Sequence, residues 1–274
     1  MSRGVALVRA PSDRLAEGVV THIARAAVDV ELAKRQHREY VDALRSAGWT
    51  VREVAPAPDC PDSVFVEDTV IVCDDVAVLT RPGLAARRAE VDGTEAAVRD
   101  LPLRVAHIVA PAMLDGGDVL QVGSSVYVGV GGRTNAAGVE QLRAHLAGLG
   151  RRVVAVRLTG VLHLKSAVTA LPDGTLLARP DRIDHGALPD LRAVDEEAGC
   201  HVVPLGGGQV LLAASAPRTA QWLRTNGWFP VVVDISEFEK LEGCVTCLTV
   251  LVPSPSGMTT FTTPVGTSPG LQAW

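Results

Sequence analysis

Residues 30–54 read VELAKRQHREYVDALRSAGWTVREV. Leu32, Ala33, Tyr40, Val41 and Leu44 are among the apolar positions of an amphipathic helix over Val30 to Ala47, and Gly48 is its natural stop. A strand over Thr50 to Val54 should follow. Similar helical patterns begin near Leu84, at Thr134 and Asn135, which offer an N-cap, near Pro189 and near Ala216, with short Val-rich strands between them. The first four lie about fifty residues apart, which predicts a unit of a few strands and one helix used repeatedly. No Pro/Gly/Ser-rich linker divides Gly4 from Val252, so residues 1–252 read as one α/β domain. Residues 253–274, PSPSGMTTFTTPVGTSPGLQAW, have the composition of a tail and receive no function.

With 274 residues, 47% hydrophobic and 21% charged, the chain can bury a sizeable core, and with aromatics at only 4% that core is Val, Ala and Leu. The net charge of -5 and the scattered basic residues argue against nucleic acid as a partner. No apolar run is long enough to cross a bilayer, and the first residues carry too short an apolar stretch for a secretory signal, so a cytoplasmic address is expected. Five cysteines, at 60, 73, 200, 244 and 247, point to reduced thiols rather than a disulfide framework.

Four stretches carry candidate chemistry. PDSVFVEDTVIVC (61–73) sets Glu67 and Asp68 in an apolar, β-branched run. Buried there, the two acids need cationic partners; a hairpin tip carrying them into water is the alternative. Asp62, after Pro61, reads as a turn residue. LDGGDVL (114–120) is a tight turn flanked by Asp115 and Asp118, either plain turn chemistry or a loop carboxylate that orients a catalytic group. LHLKSAVTAL (162–171) alternates as a strand with His163 and Lys165 on one face, which solvent exposure explains as well as catalysis does. EFEKLEGCVTCLTVLV (237–252) ends an acidic segment at Gly243 and places Cys247 at the start of an apolar strand. Cys244 and Cys247 form a C-x-x-C without the second ligand pair of a zinc site or the helix of a redox motif, and either thiol could be a buried structural one.

Taken together, RQHREYV (35–41), PDSVFVED (61–68), LTRPG with the following Arg pair (79–88), LDGGDVL (114–120), GGRTN (131–135), LHLKS (162–166) and Thr246-Cys247 resemble dimethylarginine dimethylaminohydrolase, of the guanidine-modifying pentein group, over residues 5–252. The resemblance implies a five-bladed α/β propeller of strand-strand-helix-strand units, which fits the helix spacing. It puts the family's nucleophile on Cys247, its histidine on His163 and its orienting acid on Asp115. Asp62, Glu67 and Asp68 take the places of the substrate-holding carboxylates, with Asp68 at the guanidinium and Asp62 at the α-amino group. Arg87 and Arg133 match the arginines that clamp the α-carboxylate, where a planar fork suits bidentate pairing. Leu241 and Val20 fall where the family uses backbone oxygens. Cys244 has no counterpart role. No cofactor or metal is implied, and monomer and homodimer are both open.

A guanidinium carbon is a poor electrophile, so carboxylates must fix the cation and a soft nucleophile must attack it. Deiminases and amidinotransferases of the group carry an acid two residues after the histidine; here that residue is Lys165. The resemblance with this departure implies hydrolysis of Nω-methylated arginine to citrulline and dimethylamine or methylamine. A deiminase for arginine or another guanidine metabolite is the alternative within the fold, and an inactive homologue that only binds arginine derivatives is another. From a different class comes a redox or metal-binding module built on Cys244 and Cys247.

Overall fold

Helix α1 spans Val30–Ser46, capped by the Asp29 side chain, which accepts from the Leu32 backbone N–H at 2.9 Å. Its buried face carries Ala33, Gln36, His37, Tyr40, Val41 and Leu44. Gly48, at φ +91, turns the chain into the strand Thr50–Glu53. That strand lies parallel to Gly4–Val8, which pairs on its other side with the antiparallel strand Val250–Pro253. The first unit is therefore closed by residues from both ends of the computed structural model, which describes residues 2–254. The tail reading falls almost wholly outside these described residues; Pro253 still belongs to the last strand.

The same pattern recurs in the other sheets: an outer strand antiparallel to a central one, then a crossover to a third strand parallel to it. Val70–Cys73, Val76–Leu79 and Arg104–His107 enclose helix α2, Glu90–Arg99. Val119–Val122, Ser125–Val130 and Arg152–Arg157 enclose α3, Ala136–Leu146, which Asn135 caps through Gly138 N–H. Val203–Gly206, Gln209–Ala213 and Phe229–Val233 enclose α4, Pro217–Thr225. Val168–Ala170, Leu176–Ala178 and Leu191–Ala193 form the remaining sheet, giving five three-stranded sheets among the described residues. Central strands such as Val76–Leu79 are buried along their whole length, as short aliphatic runs covered on both faces should be. No helix among the described residues is long and apolar enough to cross a membrane.

Two expectations are corrected here. The helix expected to begin near Pro189 is absent: Leu191–Ala193 is instead a strand parallel to Leu176–Ala178, followed by the 3₁₀ turn Glu197–Cys200, because pairing with the central strand overrides the local helical pattern. LHLKS is not an alternating strand either. Leu164–Ser166 is a 3₁₀ turn and His163, its cap residue, is buried.

Arg9 ties the first two units together. It is fully buried, and it donates to the backbone oxygens of Ala55 (3.0 Å), Ser63 (3.0 Å) and Glu90 (2.7 Å) and to Thr94 Oγ1 (3.3 Å). Arg9→Met should lower unfolding stability by at least about 3 kcal/mol, since the buried carbonyls of Ser63 and Glu90 and the buried Thr94 hydroxyl lose their donor. Urea unfolding checks this, and a loss below about 1 kcal/mol would contradict the assignment.

Candidate active site

Each sheet begins with a short turn, and these turns carry the chemistry. Val66–Thr69, Gly116–Asp118, Leu164–Ser166 and Glu197–Cys200 are 3₁₀ turns leading into the first strands of four sheets, and the turn at 245–248 leads into Val250–Pro253. They bond to one another in sequence: Glu67 N donates to Cys247 O (3.2 Å), Gly117 N to Asp68 Oδ1 (2.9 Å), Leu164 N to Asp118 Oδ1 (3.0 Å), and His201 Nε2 meets Ser166 O (2.9 Å). Gly116 and Gly117 are needed for proximity. A Cβ on the first would lie 2.0 Å from Glu67 O, and on the second 2.6 Å from His163 Nδ1.

Glu67 and Asp68 are therefore buried in a turn; the hairpin tip is Asp74 and Asp75. The cations that buried acids require are present. Asp68 accepts from Arg87 Nη1 at 2.5 Å and lies 3.8 Å from His163 Nδ1. Burial works to raise its pKa, but His163, Arg87 and the Gly117 N–H outweigh it and hold the carboxyl at about 2. His163 Nε2 meets Asp115 Oδ2 at 3.0 Å, while Asp115 Oδ1 accepts from Gly83 N at 2.8 Å. For His163, burial opposes the charged form, but Asp68, Asp115 and Asp118 prevail and raise the ring to about 10. The imidazole is a cation at neutral pH.

Glu67 has different partners. Its oxygens accept from Lys165 Nζ at 2.6 Å and Thr246 Oγ1 at 2.9 Å, and burial raises it to about 7 despite the lysine. These three side chains line a separate cavity with Val70, Val119 and Val250, so Glu67, expected to hold substrate, does not line the pocket that contains Cys247.

That pocket is lined by Asp62, Asp68, Arg87, Arg133, His163, Leu241 and Cys247, seven of the ten residues expected from the sequence. Asp115 is fully buried behind His163. The Val20 expectation shifts by one residue: Val20 packs against the core, and Val19 lines the pocket because Asp62 accepts from its N–H at 3.1 and 3.2 Å. Burial raises the Asp62 carboxyl, against the pull of Arg87. Arg87 is more occupied than a free carboxylate clamp would be. Besides Asp68 it donates to both oxygens of Glu90 and to the backbone oxygens of Asp62 and Phe65, leaving one Nη1 proton. Arg133 makes no side-chain hydrogen bond among the described residues and opens onto the pocket.

Phe65, Leu162, Glu242 and Gly243 complete the lining and were not foreseen. Glu242, at φ +60, accepts from the backbone N–H groups of Thr21 and His22 and so fastens the segment that carries Val19. Asp118, which the sequence offers as turn chemistry or as a loop carboxylate that orients a catalytic group, is buried and accepts from Thr134 and Leu164 N, which anchors the His163 turn. Cys247 lies in the entry turn rather than in the strand, with its sulfur 3.2 Å from that of Cys244, and both are free thiols. Its hydrogen bond to Cys244, burial, and the carboxylates of Glu67 and Asp68 push the Cys247 thiol up.

Asp68, Asp115 and His163 are the one group among the described residues close enough to share a metal ion. They do not fit one: both carboxylates are already bonded to His163, Arg87 or backbone N–H groups, and two cations stand beside them.

Because folding raises His163, its ion pairs stabilise the protein fully below about pH 6.5, and that stability is lost as pH rises through about 10. The melting temperature of the wild type relative to His163→Gln should therefore fall between these values. A difference that does not change with pH would contradict the imidazolium.

The arginine deiminase family profile matches residues 17–181. The chain is 59% identical over 246 residues to the N(G),N(G)-dimethylarginine dimethylaminohydrolase of Streptomyces coelicolor, covering 89% of this chain and 95% of that one. To the protein of that name from Pseudomonas aeruginosa it is 33% identical over 249 residues, covering 89% and 97%. A solved structure of the Pseudomonas aeruginosa enzyme, a Cys-to-Ser mutant complexed with citrulline, matches with a TM-score of 0.84 at 31% identity, covering 92% of this chain and 100% of that one. The five sheets with their intervening helices are the five units of the pentein fold. The chain belongs to the dimethylarginine dimethylaminohydrolase family.

Proposed function

We propose that this enzyme hydrolyses Nω-methylated L-arginine to L-citrulline and dimethylamine or methylamine, with Cys247 as nucleophile and no cofactor. The observation that carries the substrate class is the Lys165–Glu67 pair. Lys165 stands where deiminases of the group carry an acid, and it pairs with Glu67 away from the Cys247 pocket, so Asp68 is the ionised carboxylate at the reacting end of that pocket. One carboxylate engages one edge of a guanidinium. A methylated nitrogen at the other edge requires no acceptor.

In this reading Asp68 fixes the guanidinium, Asp62 and the backbone around Val19 and Leu241 receive the α-amino group, and Arg133, with the remaining proton of Arg87, holds the α-carboxylate. The sulfur of Cys247 attacks the guanidinium carbon. His163, protonated at the outset, gives its proton to the departing amine, and the resulting neutral imidazole takes a proton from the water that attacks the thiouronium. Cleavage of the carbon–sulfur bond releases citrulline. Asp115 holds the ring in place throughout, in the manner of the orienting acid of a triad. A cytoplasmic address and a small-molecule partner belong to this proposal.

Incubation with asymmetric dimethylarginine, monomethylarginine and arginine, followed by a citrulline assay, is the direct test. Citrulline should form from the methylated substrates and not with Cys247→Ser; none from either methylated substrate would end the proposal. Preferred turnover of arginine would favour a deiminase, the name borne by the family profile. Arg133→Gln should raise KM about 10- to 100-fold with a smaller effect on kcat, the loss of one charge-assisted contact. An unchanged KM would remove Arg133 from the binding set.

A further inference from the structure

Cys244 has no part in this mechanism, yet its sulfur is 3.2 Å from that of Cys247. A disulfide would require about 2.05 Å, so the two are in hydrogen-bond contact rather than bonded. The backbone N–H of Cys244 also points at the Cys247 sulfur, at 3.4 Å. Thr246 Oγ1 lies 3.2 Å from the Cys244 sulfur and 2.9 Å from Glu67. Cys244 is buried, and it does not line the substrate pocket.

The surroundings of the two sulfurs differ in charge. On the Cys247 side stand the carboxylates of Glu67 and Asp68, and on the Cys244 side stands His201. Tyr40 from α1, whose hydroxyl donates to Val245 O, is near both; His163 lines the pocket with Cys247, Lys165 reaches the pair through Glu67, and Cys200 adjoins His201. The hydrogen bond from Cys247, with His201 nearby, pulls Cys244 well below an ordinary thiol even though it is buried. Two thiols this close lose their first proton as a pair, and the anion settles where the field is most positive.

Resting on the reading of Cys247 as nucleophile, we propose that Cys244 is its proton acceptor: the two sulfurs share one proton, which a cationic substrate moves from Cys247 to Cys244. In the empty site Cys247 is the thiol and Cys244 the thiolate. A guanidinium seated at Asp68 adds a positive charge beside Cys247, so the proton crosses 3.2 Å to give Cys247 thiolate and Cys244 thiol. The pair keeps its single negative charge and no electron is exchanged. When the carbon–sulfur bond of the thiouronium breaks and citrulline leaves, the proton returns. The nucleophile is thus exposed only in the presence of a cation, which protects it from other electrophiles.

Cys244→Ala and Cys244→Ser separate this role from packing. Both should move the acid limb of the kcat/KM profile up by about one pH unit or more and lower kcat/KM at neutral pH about tenfold, because a serine hydroxyl does not ionise in this range. In the free enzyme, the near-ultraviolet thiolate absorbance at neutral pH should persist in Cys247→Ser and disappear in Cys244→Ser, with circular dichroism reporting the fold of each variant. Restoration of the wild-type profile by Cys244→Ser would reduce Cys244 to a hydrogen-bonding residue. A thiolate signal that is lost with Cys247 instead would overturn the proposal. Absence of citrulline from every methylated substrate would end the functional reading but leave the absorbance result decisive for the thiol pair.

Discussion

The arrangement depends on burying carboxylates where five turns meet. Glu67, Asp68, Glu90, Asp115 and Asp118 are all buried, and isolated charges of that kind would each cost several kcal/mol. Each is compensated within hydrogen-bond reach: Lys165 for Glu67, Arg87 for Asp68 and Glu90, His163 and Gly83 N for Asp115, Thr134 and Leu164 N for Asp118. Lys165 for Glu67, His163 and Gly83 N for Asp115 and Leu164 N for Asp118 come from other units, so those charges are satisfied only when the units are assembled, whereas the Arg87 pairs and the Thr134 contact lie within one unit. The same contacts that make the centre stable set its chemistry, because they decide which groups are ionised.

The result is an uneven distribution of charge along a short path. Asp68 is held at about 2 and His163 at about 10, whereas Glu67 and Asp118 are pushed up to about 7 by burial. An ionised carboxylate and an imidazolium thus face the pocket, with acids raised towards neutrality behind them. At the mouth, Asp62 and Glu242 hold the segment 19–22 by its backbone N–H groups. Any cation that binds Asp62 competes with Val19 N–H for the same oxygens, so occupancy at Asp62 and the position of this segment are physically linked.

Much of the fold was legible locally. The α1 pattern with Gly48 behind it and the cap at Asn135 survive in the structure, whereas the regular helix spacing breaks at its fourth member, near Pro189. The signal failed where local pattern and tertiary environment diverge. LHLKS alternates like a half-exposed strand, yet His163 is buried by Asp115 and Gly117, which no periodicity reveals. Near Pro189 the local helical pattern yields to strand pairing of Leu191–Ala193 with Leu176–Ala178. Asp118 and Glu242 resemble ordinary polar residues of a turn and a loop, and only their acceptor contacts give them a role.

By itself the sequence determined the α/β character, the repeated unit and, through the joint occurrence of its motifs, the family; it also named candidate site residues, seven of which line one pocket. Hydrophobic spacing and motif order are properties of the chain and need no coordinates. Only the tertiary structure decided that Glu67 belongs to Lys165 and Thr246 rather than to the Cys247 pocket, that Arg87 is largely committed to Asp68 and Glu90, and that the sulfur of Cys244 touches that of Cys247. The reason is physical: ionisation and hydrogen bonding depend on distances between atoms far apart in sequence, and those distances exist only once the five units close.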